Sequence, residues 1–377
     1  MRLIRSVIVG TSLLAGCALP KERPPAPPPV AKAAVPPAKG PVLPAEEVPL
    51  AFDRGPFHLE GTLTLPARTA GAKVPVAVLV HGSGPMSRDG VMRGQIGLGF
   101  GFDLPVYKQL AEALGERGYA VYRYDKRSCN GWNGCKDDDS ERLPYAMLVT
   151  ELSTGELVRD AEAALDRVSE YSEIDPERTF FIGHSEGGEL VPLLLADRPA
   201  ARAGVMLAPP FHTMGVVLHQ QSERLRWALL AAGEPDRAEA EGSALEHAAV
   251  ALRQIEDGTY LGAPVLGQPA GLWASWIGLA KKIPDVARGL HRPLLVVGGS
   301  YDYNVPPSEI ESWGRWLSEG SAAPHRVRVI AGMTHALNCI AEPDPTRIKP
   351  ADIDHRVSPD LVDEVSRFLD SASGQAR

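Results

Sequence analysis

Residues 74–80 form an unbroken apolar run, short enough for one strand and polar on neither face. Such a run suits a strand buried on both sides, as in a parallel sheet covered by helices. Runs of the same kind recur at 120–124, 179–182, 203–207, 294–297 and 327–330, and 57–65 reads as a strand with alternating apolar residues. Helical periodicity fills the gaps at 106–117, 155–171, 186–197, 308–319 and 359–371. Strand alternating with helix at this spacing predicts an α/β fold, a mostly parallel sheet with helices on both faces and no internal repeat. The spacing breaks once, because about 90 residues separate the runs at 203 and 294. Most of that segment, 219–282, has helical composition and carries Trp227, Trp273 and Trp276. It is too long for a simple crossover, so it reads as a helical insertion that either packs on the sheet or covers a binding site.

The chain is 44% hydrophobic and 23% charged, a globular balance, and its net charge of -8 lacks the basic face that a nucleic-acid partner requires. No apolar stretch approaches the roughly 20 residues of a membrane-spanning helix. The N-terminus instead carries Arg2 and Arg5, then an apolar run over 7–16, the pattern of a secretory signal. Its end, Leu14-Ala15-Gly16-Cys17, resembles the lipobox of bacterial lipoproteins. The resemblance implies a signal over 1–16, lipid on Cys17 and a membrane anchor. Ala18 directly after the cysteine implies an outer-membrane lipoprotein of the cell envelope, facing the periplasm. An ordinary secreted protein is the alternative. Eleven of the 34 prolines lie between Pro20 and Pro49, so residues 17–47 read as a semi-rigid polyproline tether before a domain over 48–373.

Gly183-His184-Ser185-Glu186-Gly187 fits G-x-S-x-G, a weak match by frequency that context strengthens. A short apolar strand precedes it and an apolar helix follows, the setting of a nucleophile elbow, which presents Ser185 at the sheet edge. A serine hydroxyl needs a base, and the base needs an orienting carboxylate. Asp302 lies just beyond the run at 294–297, and His335 just beyond the run at 327–330. The order Ser185, Asp302, His335, each past a strand end, predicts a catalytic triad. Backbone N–H groups for a developing oxyanion are expected from Glu186 and from the loop His81-Gly82-Ser83-Gly84-Pro85, with Ser83 ahead of Gly84. His81 and His184 read as turn-shaping residues.

Taken together, residues 81–85 with Arg88 and Asp89, Tyr124-Asp125-Lys126-Arg127, the elbow with Gly187 and Gly188, and Ser358-Pro359 onward resemble the α/β-hydrolase esterases with HGSGP and GHSEGG motifs. The resemblance implies an eight-stranded sheet and a helical cap at about 211–290, between the sixth and seventh strands. It also implies hydrolysis of small-molecule carboxylic esters, often of short acyl chains, without a cofactor. The chain departs from the family's pattern at Ser128 and Cys129, where many relatives have glycine, and in an insertion through Cys135 to Asp139.

With Cys17 lipidated, Cys129, Cys135 and Cys339 remain. Cys129 and Cys135 are spaced to close a small loop disulfide in an oxidising compartment, and Cys339 is a competing partner for either. No ligand spacing suits zinc, and Asp137 to Asp139 read as a solvated acidic loop rather than a calcium site. Arg88, Asp89, Lys126 and Arg127 read as loop ion pairs, with substrate contact as the alternative. The sequence therefore predicts a serine esterase. A peptidase or thioesterase on the same fold and a catalytically silent envelope-binding lipoprotein are the alternatives.

Overall fold

The computed structural model describes residues 40–93, 103–129, 154–340 and 353–374. Cys17, Cys135, residues 137–139 and the expected signal segment lie outside them. The sheet strands are β1 Glu46–Pro49, β2 Gly61–Leu65, β3 Val74–Val80, β4 Ala120–Tyr124, β5 Ile174–His184, β6 Ala201–Leu207, β7 Leu294–Gly299 and β8 His325–Ile330. They form one eight-stranded sheet in the order β8-β7-β6-β5-β3-β4-β2-β1. Strands β3 to β8 are mutually parallel, while β2 runs antiparallel to β4, and β1 to β2. From β3 the chain moves first to β4 on one side and then to β5 on the other, which puts the switch point at β3. In such sheets, ligand clefts form beyond the carboxyl ends of the strands at this point.

Period two explains why the central strands are apolar throughout. On one face Val76, Val78, Val80, Phe181 and Met206 pack against α2 Thr154–Ser169 and α3 Glu186–Asp197. On the other face Ala77, Leu79, Ile182 and Val205 pack against α1 Val106–Gly115 and α9 Pro359–Ser373. Between β6 and β7 stand α4 Met214–Ala231, α5 Pro235–Glu256, α6 Ala270–Ala280 and α7 Ile283–Gly289, the helical cap at its expected place. Leu218, Ala249, Leu252, Trp273 and Ile277 give the cap a core of its own. Helix α8 Pro307–Ser318 follows β7.

Most strand ends lie within two residues of the sequence reading, and three differ by more. The strand expected over 57–65 is broken at Glu60: Phe57–Leu59 turns back on Phe52–Arg54, and only Gly61–Leu65 joins the sheet. The break follows from Gly61, where a Cβ would lie 2.5 Å from Leu50 O and from Tyr122 Oη, so the backbone there is pressed against its neighbours. The tether expected to reach residue 47 gives way earlier, since Val42–Leu43 pairs with Arg68–Thr69 and Glu46–Pro49 is the sheet's edge strand. An edge position tolerates Pro49, which lacks an N–H to donate. The strand over 179–182 extends back to Ile174.

Candidate active site

Each candidate residue sits where a strand delivers it. Ser185 stands between β5 and α3 at φ 55 and ψ -121, a conformation that costs an ordinary residue on the order of 1–3 kcal/mol. The turn closes because its neighbours are glycine. A Cβ on Gly183 would lie 2.1 Å from Gly187 O, and one on Gly187 would lie 2.3 Å from Val80 O. The packing of α3 onto the ends of β3 and β5 thus requires both glycines and leaves Ser185 on the cavity side.

Asp302 and His335 come from loops laced to each other, with Ser300 N–H donating to Ile330 O at 3.0 Å and Tyr301 N–H to Met333 O at 2.9 Å. His335 Nδ1–H donates to Asp302 Oδ2 at 2.8 Å. The other oxygen of Asp302 accepts from Asn304 N–H at 2.9 Å and Val305 N–H at 2.8 Å, and the residue has no solvent exposure. A carboxyl group so bonded fixes the imidazole's tautomer and plane. The hydrogen bonds of the described residues do not include a Ser185–His335 pair, although both side chains line one cavity of about 480 Å³. Ser83, Gly84 and Glu186 line it as well, and Met214, Val217, Leu218, Leu272, Trp273 and Trp276 from the cap make its roof largely apolar.

His184, read from sequence as a turn-shaper, does more. It is buried between Tyr107 and the loop of His335. Gly82 N–H donates to Tyr107 Oη at 3.0 Å, Tyr107 O–H donates to His184 Nδ1 at 3.0 Å, and His184 Nε2–H donates to His335 C=O at 2.9 Å. This relay suits a neutral imidazole, and burial together with the neighbouring His335 holds the His184 pKa well below its usual range. It also occupies the Gly82 N–H, whereas Ser83 and Gly84, the residues expected from sequence to donate to an oxyanion, both line the cavity. His81 is buried too, and burial and Lys126 push its pKa down to about 3, so it stays uncharged.

The four charged loop residues divide. Arg88 pairs with Glu60 and Asp125, Asp89 with Arg123, and Arg127 with Asp160, all as structural ion pairs. Lys126 lines the cavity, bonded to Gly82 O at 2.8 Å and Glu186 Oε2 at 2.9 Å. One turn into α3, Glu189 is buried beside Glu186 and bonded to the Trp276 side chain, and burial first, then Glu186, pushes its pKa up to about 8. Nothing in the sequence distinguishes Tyr107 or Glu189 from ordinary helix residues; only the folded sheet edge gathers them. Cys129 is disulfide-bonded and Cys339 is a free thiol, so the alternative pairing of these two is not formed. No group of three metal-ligating side chains occurs among the described residues.

Comparison with known proteins bears on the fold and the family. Esterase EstD of Thermotoga maritima is 27% identical over 315 residues, which are 82% of this chain and 65% of the length of that protein. Among solved structures, an acylaminoacyl peptidase in complex with Z-Gly-Gly-Phe-chloromethyl ketone superposes with a TM-score of 0.50 at 19% identity, over 78% of this chain and 38% of that one. Est1E from Butyrivibrio proteoclasticus gives 0.49 at 15% identity over 86% and 99%. The model of the alpha/beta hydrolase family matches residues 77–349, across the sheet from β3 onward, the elbow, the cap and the loops of Asp302 and His335, and the chain belongs to that family.

Proposed function

We propose that this protein is a serine hydrolase of carboxylic esters, with Ser185 as nucleophile, His335 as general base and Asp302 as its orienting carboxylate. The observation that carries the reading is Ser185 at φ 55 on a strand-to-helix turn, beside a cavity that the Asp302-bonded His335 also lines. Ser185 Oγ attacks the acyl carbon while His335 Nε2 takes its proton. The carbonyl oxygen becomes an oxyanion and accepts from Glu186 N–H and from Ser83 N–H or Gly84 N–H. Collapse expels the alkoxide, protonated by His335, and leaves an acyl-Ser185 ester. Water, deprotonated by His335, then releases the acid. A missing Ser185–His335 bond is compatible with this cycle, since such bonds often tighten only when substrate is present.

No cofactor enters this scheme, and the substrate is a small molecule whose apolar part meets the cap. The lipobox-like run ending at Cys17 supports an outer-membrane anchor for the enzyme, and Cys17→Ala is expected to release it from the membrane fraction; an unchanged fractionation would remove the anchor from the account. For the chemistry, full-length protein is offered matched nitrophenyl ester, thioester and anilide substrates over an acyl-length series. Ester turnover that Ser185→Ala lowers by at least about 10³-fold is the expected result. A faster anilide would move the assignment to a peptidase. Absence of turnover on every substrate would leave the silent-binder alternative.

A further inference from the structure

Lys126 is only 6% exposed, yet it reaches the cavity. Its ammonium donates to Gly82 C=O at 2.8 Å and to Glu186 Oε2 at 2.9 Å. Gly82 C=O and Ser83 N–H are two ends of one peptide unit, and Glu186 carries the N–H that follows the nucleophile. One cation therefore touches both halves of the proposed oxyanion site, the first through the peptide and the second through a side chain. The rest of its loop grips the same segment: Lys126 N–H donates to Met86 O at 3.0 Å, Asp125 Oδ1 accepts from Arg88 N–H at 2.7 Å, and Ser128 Oγ donates to Gly84 O at 3.3 Å.

We propose that Lys126 is a positioning residue for oxyanion stabilisation. A cation on the Gly82 carbonyl polarises that peptide and strengthens Ser83 N–H as a donor, because bonds in a chain reinforce one another. The same ammonium fixes the Glu186 side chain, and so the first turn of α3, against the 82–84 loop. Fold stability alone does not account for the pair, since a buried ion pair is commonly no more stabilising than an apolar pair of similar volume. The benefit falls on the tetrahedral state, where charge develops, rather than on bound ester.

The inference rests on the Ser185 reading, and the test keeps the two apart. In the full-length protein, Lys126→Met is expected to lower kcat about 10–100-fold, with KM within about threefold, and to weaken a trifluoromethyl ketone inhibitor by the same factor as kcat. Because Met leaves Glu186 unpaired, Lys126→Met/Glu186→Gln is made as well; it is expected to recover Tm while keeping both losses. Lys126→Arg, which can still donate to Gly82 O, is expected to recover part of kcat. If the double variant regains kcat and inhibitor affinity along with Tm, the pair is structural and the proposal falls; wild-type values in either folded Met variant also overturn it. Should the single variant fail to fold, the double variant decides. Ester hydrolysis surviving in Ser185→Ala would overturn the nucleophile assignment instead, whatever Lys126 does.

Discussion

A non-glycine residue at φ 55 needs a reason to be there, and Ser185 has one in the turn that Gly183 and Gly187 allow to close. If strain is held for the sake of the hydroxyl, removing the side chain relieves it. Ser185→Gly is expected to raise stability by about 1 kcal/mol relative to Ser185→Ala while both lack turnover, read by denaturant unfolding; equal stability would mean the turn is unstrained. Glu189 offers a second measurement at this scale. Its pKa in the fold is raised to about 8, above the roughly 4.3 of an unfolded chain, so the folded state holds the extra proton between these values. Its contribution to stability is complete below about pH 4 and is lost as pH rises toward 8. Glu189→Gln should therefore show a flatter Tm profile between pH 5 and pH 8, in roughly that window, than the parent protein. A parallel profile would place the carboxyl's titration elsewhere. The three residues proposed as the triad were legible in the sequence because each lies within five positions of the end of an apolar strand. Tyr107, His184 and Glu189 were not, because their partners come from loops and helices far away in the chain.

Among the elements, the cap is the one whose seating decides what the site can hold. Glu309, in the first turn of α8 and without solvent exposure, accepts from Phe211 N–H at 2.8 Å, His212 N–H at 2.9 Å, His212 Nδ1 at 2.8 Å and Gln220 Nε2 at 3.0 Å. Although burial alone would raise its pKa, the bonds from His212 and Phe211 hold it below the usual carboxylate range. A second link runs from Gln221 Nε2 to Asn304 O at 2.6 Å, joining α4 to the loop of Asp302. Glu309→Ala is expected to cost about 2–3 kcal/mol and to raise KM for bulky esters more than it lowers kcat, because Met214, Val217 and Leu218 lose their fixed places over the cavity. An unchanged KM would detach the cap from substrate binding. The elements themselves were mostly readable: uniform apolar runs marked the central strands, and the long gap after β6 marked the cap. The edge was not, since Glu46–Pro49 continues the proline-bearing, polar pattern of a linker and becomes a strand only by pairing with Gly61–Leu65. The break at Glu60 escaped for a related reason, because Gly61 is constrained by Leu50 and Tyr122, which the local pattern does not contain.

Across the whole molecule, parallel strands end together, so residues as far apart in the chain as Ser83 and His335 line one cavity at one edge of the sheet. This is why the order of three strand-end residues was enough to nominate Ser185, Asp302 and His335 from sequence, while the contacts of Lys126 and Tyr107 with the 82–84 loop appear only in three dimensions. It also concentrates the functional account on a single claim, that Ser185 is an activated nucleophile. A fluorophosphonate probe tests that claim without knowledge of the natural substrate. Full-length protein labelled at neutral pH and mapped by peptide mass spectrometry should carry one phosphonyl group, on Ser185. Asp302→Asn, which preserves shape but not the charge that holds the imidazole, should slow labelling by on the order of 10³-fold or more. Labelling at another residue, or an unmodified Ser185 in folded protein, would contradict the account.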